Sequence, residues 1–206
     1  MAGRRIVAIL GSYRRDGTCA AAVREILAAA ADAGAETLPI NLLDRRVEFC
    51  ANCRSCTQAP GPARGRCVHD DDLDGILAEV ERADALVLAA PVNLYNVNAL
   101  TRRFMERLAG FAHWPWGRPG PKIRNPALTK EAVLVTSSAM PAPLGRLFTG
   151  AVRALKATAR LLGARPTETI FIGLAAQRER QPLAPKIVAR CRRAGRRLAG
   201  ARGENE

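Results

Sequence analysis

The chain has 206 residues, of which 48% are hydrophobic and 25% charged, and it carries a formal net charge of +13 at pH 7. This composition is typical of a folded protein rather than a disordered one, and no apolar run is long enough to span a bilayer. The charge raises the question of nucleic acid, but only 4% of residues are aromatic and no zinc-finger or helix-turn-helix spacing occurs. We expect a cytoplasmic protein with an Arg-rich solvated surface, no membrane span and no nucleic-acid partner.

The first half of the chain alternates between predicted strands and helices. The apolar, β-branched run 5–10 predicts a buried strand, the Ala-rich run 18–33 predicts a helix, and 36–41 predicts a second strand. Residues 42–69 form a long loop that carries four of the six cysteines. Loops of this length in a compact domain usually have a function.

The second half continues the alternation. We expect a helix from the Asp70 region to about Arg82, a strand over 85–90 that Pro91 ends, and a helix over 98–108. An irregular segment over 111–127 follows, and then a strand over 131–136, one helix over 144–162 and a strand over 169–172. The last predicted helix has an apolar face that carries Ile187, Cys191, Ala194 and Leu198.

Five strands alternating with five helices predict an α/β fold with a parallel, doubly wound sheet. The expected form is a flavodoxin-like three-layer sandwich with a five-stranded parallel sheet in the order 2-1-3-4-5. We expect one domain over residues 1–200 and a flexible tail over 201–206. In such sheets a ligand binds at the carboxyl ends of the strands where the winding reverses, here between the first and third strands.

The turn after the first strand, from Gly11 to Cys19, has features that suit an anion. Its glycines allow backbone amides to approach a ligand, Ser12 and Thr18 carry hydroxyls, and Arg14 carries a planar fork of donors. The N-terminus of the following helix points to the same place. An ordinary strand-to-helix turn with a solvated arginine would have the same sequence, so this segment alone leaves both interpretations open.

The turns after the third and fourth strands carry no acid or base. Residues 91–98 combine amides, one tyrosine and aliphatic side chains, a mixture that suits a flat heteroaromatic ligand. The asparagines would serve equally well in a plain surface turn. Residues 136–140 add small side chains and free amides at the end of the next strand.

Together these segments resemble those of the flavodoxin-like NADPH-dependent FMN reductases, and they are also similar to the iron–sulfur flavoproteins within that group. The resemblance covers roughly residues 4–175 and includes Phe104 to Arg107. It implies that the FMN phosphate is held by Ser12, Arg14, Gly17 and Thr18. It also implies that the isoalloxazine ring is cradled by Pro91, Val92, Asn93, Leu94, Tyr95, Asn96, Thr136, Ser137 and Ser138. Tyr13 and Cys19 depart from the residues that this family often has there.

The cysteine loop contains Cys50, Cys53 and Cys56 at two-residue intervals, followed by Cys67. Four thiolates of this kind are typical of [4Fe–4S] cluster ligation. In the iron–sulfur flavoproteins the fourth cysteine follows closely, whereas here residues 57–66 intervene. Zinc, with His69 as a neighbouring ligand, is a second interpretation, and a remnant loop that binds no metal is a third.

The resemblance implies an enzyme that passes reducing equivalents from NAD(P)H through bound FMN to an unidentified small-molecule or protein acceptor, with no catalytic side chain assigned. One alternative is an iron–sulfur flavoprotein that acts as an electron carrier. Another is a non-enzymatic redox- or metal-sensing module. We expect a homo-oligomer in each case.

Overall fold

The computed structural model describes residues 3–200, so the predicted tail over 201–206 lies outside the described residues. Eight strands occur in this part of the chain: β1 (Arg5–Leu10), β2 (Glu36–Asn41), β3 (Ala85–Asn93), β4 (Asn96–Val97), β5 (Ala112–His113), β6 (Lys122–Ile123), β7 (Lys130–Ser137) and β8 (Ala164–Ile172). The helices are α1 (Thr18–Asp32), α2 (Leu73–Arg82), α3 (Ala99–Glu106), α4 (Ala142–Phe148), α5 (Ala151–Leu161) and α6 (Pro185–Leu198).

The five long strands form one parallel sheet in the order β2-β1-β3-β7-β8. Counted among the long strands alone, this is the order 2-1-3-4-5, which confirms the predicted flavodoxin-like α/β fold. The apolar runs of β1, β3 and β7 are continuous rather than alternating because helices cover both faces of the sheet. All five strands therefore end at one edge, where their loops meet.

Two helices, α1 and α6, cover one face of the sheet, and α2, α3 and α5 cover the other. The helices α1 and α6 cross closely because Gly195 of α6 lies against the backbone of α1. A Cβ atom at Gly195 would lie 2.1 Å from the carbonyl oxygen of Ile26. The apolar face predicted for α6 is confirmed at Cys191, Ala194 and Leu198, each of which is fully buried.

Several predicted boundaries were wrong. The helix predicted over 144–162 is two helices, because the chain is extended at Thr149 and α5 begins after Gly150. Pro91 does not end the third strand: β3 continues to Asn93 and turns back into β4 through Leu94 and Tyr95.

The fifth strand begins at Ala164, five residues before the predicted start, and β5 pairs with β6 inside the segment predicted as irregular. Across residues 3–200, no helix is both long and apolar enough to cross a membrane.

Candidate functional site

A cleft of about 310 Å³ lies at the carboxyl edge of the sheet, between the loops that follow β1, β3, β7 and β8. This volume is within the range of small-molecule sites. Among the residues that line it are nine of the predicted FMN-binding residues: Ser12, Arg14, Gly17, Thr18, Pro91, Val92, Asn93, Ser137 and Ser138. The structure thus brings three segments that are distant in sequence to one place, at the edge predicted for the ligand.

The end of the cleft that was predicted to hold a phosphate is the start of α1. Within the described chain, no side chain caps this helix and its first turn holds no acid, so its first amides and its dipole are available to an anion. The hydroxyl of Ser12 is paired with the backbone of Arg14 at 3.2 Å, which curls the loop over the helix start. The guanidinium of Arg14 lines the cleft and donates to the carbonyl of Glu179.

The loop keeps its position because two buried side chains of the α3 region hold the carbonyl of Gly11. The amide of Asn98 donates to this oxygen at 2.9 Å and the hydroxyl of Thr101 at 3.2 Å. Gly11 is required here, since a Cβ atom would lie 2.0 Å from the Oγ1 of Thr101. The side chain of Asn98 also caps α3 by accepting from the amide of Thr101. These residues position the loop without lining the cleft.

The end of β7 contributes hydroxyls on the opposite side. The Oγ of Ser137 lies 3.3 Å from the sulfur of Cys19, and the Oγ of Ser138 accepts from the amide of Met140 at 3.0 Å. Burial raises the pKa of Cys19 to about 11, so this side chain is a neutral thiol at physiological pH. Thr136, also predicted for the flavin, is fully buried and does not line the cleft.

Leu94, Tyr95 and Asn96 also lie outside the lining of the cleft. Leu94 and Tyr95 form the two-residue turn between β3 and β4, with φ values of 44° and 64°. Asn and Gly normally occupy such left-handed positions, so two bulky side chains there indicate strain. Leu94 is 95% exposed and Tyr95 61% exposed. The turn presents both side chains to solvent beside the cleft.

Sequence reasoning missed five residues that line the cleft: Tyr13, Cys19, Ala139, Ala175 and Ala176. The two alanines follow β8, and the rule that parallel strands end at one edge was enough to find them. The hydroxyl of Tyr13 accepts from the amide of Leu100 at 3.1 Å, which ties the first loop to α3. No sequence signal indicated that contact.

The cysteine loop lies on the β2 side of the same edge. Burial raises the pKa of the Cys56 thiol, and the neighbouring thiols of Cys67, Cys50 and Cys53 raise it further. The ten-residue insertion folds back toward the start of the loop, because Gly65, two residues before Cys67, lies against the carbonyl of Cys56.

Arg124 and Gly65 hold the insertion in this folded form. The guanidinium of Arg124 donates to the carbonyl oxygens of Cys56, Gly61 and Gly110. Gly65 lies so close to Cys56 that a Cβ atom would be 1.7 Å from the Cys56 carbonyl oxygen, and its amide donates to Gly110 at 2.9 Å. The start and end of the insertion are thus fixed to the same backbone.

A second arginine, Arg54, anchors the cysteine triad, which we define as Cys50, Cys53 and Cys56. The guanidinium of Arg54 lies between the two indole rings of the 111–127 segment, 3.9 Å from the centre of Trp114 and 4.0 Å from that of Trp116. It also donates to the Trp114 carbonyl at 2.6 Å. The tryptophan pair therefore holds the segment between Cys53 and Cys56 by cation–π contact.

The arrangement of the donors bears on which metal group it fits. Within residues 3–200, no three His, Cys, Asp or Glu side chains are placed to bind one ion, as a mononuclear zinc site requires. A cubane cluster has a different requirement, because each of its four thiolates binds a different iron and the sulfurs need not meet at a point. The described side chains therefore lack the convergence that zinc needs, whereas a cluster does not need it. The Nε2 of His69 is buried without a hydrogen-bond partner among the described residues.

The family model of the NADPH-dependent FMN reductases matches residues 4–142. The chain belongs to this family. Within residues 4–142, the match includes β1, the turn after it, the cysteine loop and β3, and of these the turn and the end of β3 line the cleft.

Two relatives share the name iron–sulfur flavoprotein. The chain is 32% identical over 111 residues to one from Archaeoglobus fulgidus, covering 54% of this chain and 48% of the relative. It is 35% identical over 103 residues to one from Methanocaldococcus jannaschii, covering 50% and 51%. The chain therefore spans about half the length of the curated relatives it matches. Membership of the family near this subgroup, as predicted, is confirmed.

The fold has relatives among solved structures as well. An NAD(P)H:quinone oxidoreductase from Methanothermobacter marburgensis superposes with a TM-score of 0.68 at 19% identity, covering 96% of this chain and all of the other. At this identity the likeness shows the shared fold and nothing more specific.

Proposed function

We propose that this chain is an FMN-dependent oxidoreductase that takes reducing equivalents from NAD(P)H and passes them to an acceptor. The observation that carries this proposal is the cleft at the carboxyl edge of the sheet, where an uncapped helix start and the ends of β3 and β7 meet. Bound FMN would supply the hydride chemistry. The side chains would bind and orient it.

The residues around the cleft suit the two ends of this cofactor. No carboxylate is among the described residues that line it, while Arg14 and the start of α1 offer positive charge to a phosphate. The hydroxyls of Ser12 and Thr18 add donors at the same end. Pro91, Val92 and Asn93 offer an apolar surface with one amide group to a flat ring, and Ser137 and Ser138 face them.

The direct test is the spectrum and activity of purified protein. We expect protein saturated with FMN to show the two resolved flavin bands and to oxidise NADH or NADPH when a soluble acceptor such as menadione is present. FMN retention without NAD(P)H oxidation would favour an electron carrier. Failure to bind FMN would contradict the proposal and leave a non-enzymatic redox- or metal-sensing module as the remaining interpretation.

A second candidate function, an iron–sulfur flavoprotein that acts as an electron carrier, is favoured by the cysteine loop. Its support is the placement of Cys67 beside Cys56 despite the ten-residue insertion and the similarity to relatives of that name. The residues that would hold a [4Fe–4S] cluster are Cys50, Cys53, Cys56 and Cys67.

Anaerobic reconstitution tests the cluster directly. We expect about four irons per chain, a broad brown absorbance beside the flavin bands, and loss of that absorbance in Cys53→Ser with FMN retained. Zinc in place of iron, or no metal under these conditions, would contradict the cluster while leaving FMN binding intact.

We further propose that the protein acts in the cytoplasm as a homo-oligomer.

A further inference from the structure

The deepest ion pair of the described chain stands beside the cysteine loop. The side chains of Arg107 and Asp71 are each 1% exposed, and their Nη1 and Oδ2 atoms lie 2.6 Å apart. Burying two charges is energetically costly for each ion. A buried pair of this kind therefore calls for a structural or functional explanation. Neither residue lines the cleft.

The contacts of the pair reach both ends of the cysteine loop. At the entry, two residues before Cys50, Asp71 accepts from the amide of Glu48 at 2.8 Å and Arg107 donates to the Glu48 carbonyl at 2.7 Å. At the exit, the Nη2 of Arg107 donates to the sulfur of Cys67 at 3.3 Å. A single buried guanidinium therefore joins the start of the loop to the fourth thiol.

We propose that Arg107, held by Asp71, is the positioning residue that sets Cys67 beside the cysteine triad and donates a hydrogen bond to its sulfur. A planar guanidinium suits this task because it can contact the carboxylate, a carbonyl and a sulfur at once, which an ammonium cannot do with the same geometry. The inference rests on the proposed cluster function in one respect only. If a cluster is bound, the N–H···S bond favours its reduced, more negative state.

The position of Cys67 can be tested without any cluster. Metal-free protein is treated with dibromobimane, a short reagent that bridges neighbouring thiols, and the cross-linked peptides are identified by mass spectrometry. We expect a Cys56–Cys67 cross-link in the wild type. We expect its loss in Asp71→Asn/Arg107→Met, which removes both charges so that neither is left buried alone. In the single variant Arg107→Lys, we expect the Cys56–Cys67 cross-link to form only in part.

A matched control is Arg190→Met, which breaks another arginine–carboxylate pair, with Glu168, between α6 and β8 and away from the cysteine loop. It should keep the wild-type cross-link. Circular dichroism confirms that each variant is folded. A folded double variant that cross-links as the wild type does, or a wild type without this cross-link, would overturn the proposal.

A second measurement tests the hydrogen bond to Cys67 in the reconstituted protein. After reconstitution, a redox titration followed by electron paramagnetic resonance should give a more negative midpoint potential in Arg107→Lys and in the double variant than in the wild type. An unchanged potential would overturn the hydrogen bond to Cys67. Wild-type protein that cross-links as expected but takes up no iron would contradict the cluster and leave the positioning role in place.

Discussion

Two neighbouring arginines in the first loop, Arg14 and Arg15, have different surroundings. Arg14 lines the cleft, whereas Arg15 pairs with Asp44 on the surface. We expect Arg14→Ala to weaken FMN binding by about 1.5–3 kcal/mol, the range for a hydrogen bond to a charged group. Titration of apoprotein followed by flavin fluorescence measures the effect. Arg15→Ala is the control and should bind FMN as the wild type does, and equal losses in both variants would contradict the assignment of Arg14.

The buried thiols of the helices predict an alkaline limit to stability. Burial raises the pKa of Cys191 from 9.0 to about 12 and that of Cys19 to about 11. The unfolded chain therefore loses these protons first as the pH rises. Below a pH of about 9, neither thiol makes the free energy of unfolding depend on pH. Above it, the free energy of unfolding falls as the pH rises.

We expect the free energy of unfolding to fall above about pH 9 by up to about 1.4 kcal/mol per pH unit for each such thiol. Cys191→Ala should show a shallower decline, although its stability at neutral pH is lower because of the cavity it leaves. Urea unfolding over a pH series measures both slopes. Identical slopes for the variant and the wild type would show that Cys191 is not the group involved.

At the scale of single elements, the start of α1 is the feature on which the proposed FMN site depends. Gly17 has φ −74°, which any residue can adopt, and a Cβ atom there would meet Arg14 at 3.1 Å. Asn and Asp are both good N-cap residues and nearly equal in size. They differ in charge, which is what a phosphate at the helix start would sense.

We therefore expect Gly17→Asn and Gly17→Asp to change stability alike, by a few tenths of a kcal/mol. FMN affinity should be lower in Gly17→Asp than in Gly17→Asn by about 1–2 kcal/mol, because a carboxylate would face the phosphate. Thermal unfolding and flavin titration of the two variants give the comparison. Equal affinities would place the phosphate away from this helix.

The strands β1, β3 and β7 could be predicted because each is a continuous apolar run, and the order of the long strands followed from their alternation with helices. The short elements could not. The turn at Leu94 and Tyr95 lacks the Asn-Gly signal of such hairpins. The break before α5 depends on Gly150, whose amide donates to the Tyr95 carbonyl at 2.7 Å and whose Cα faces the Asn96 amide. Both features are fixed by contacts between segments more than fifty residues apart.

In the candidate site, too, some features could be predicted from the sequence and others could not. Residues at the ends of strands were predictable because a parallel sheet brings them together. The return of Cys67 was not, since it requires Arg107, Arg124 and Gly65 to meet the loop from elsewhere in the chain. Spacing alone left the cluster, zinc and a metal-free loop all open.

At the scale of the whole molecule, several large apolar side chains near the cleft are exposed. Leu147 is 74% exposed and Phe148 61% exposed, and the segment that follows them is hydrogen-bonded to the exposed turn at Leu94 and Tyr95. Clustered apolar exposure of this kind is typical of an interface between proteins. It supports the proposed homo-oligomer.

We expect Phe148→Glu to shift the protein toward a monomer because it places a charge in the interface. Light scattering coupled to size-exclusion chromatography measures the mass. Leu128→Glu, at an exposed apolar residue before β7, is the control and should leave the mass unchanged. A wild type that is already monomeric at micromolar concentration would contradict the proposed assembly.

The close crossing of α1 and α6 at Gly195 has a mechanical consequence for the cleft. Ile26, whose carbonyl Gly195 touches, is about 12 Å along the helix from Thr18, at 1.5 Å per residue. A methyl group at Gly195 would push against α1 at Ile26, in the core. This would tilt the N-terminal end of α1, which faces the cleft. The affinity for the ligand proposed at that edge would then depend partly on the absence of a single methyl group from α6, which does not line the cleft.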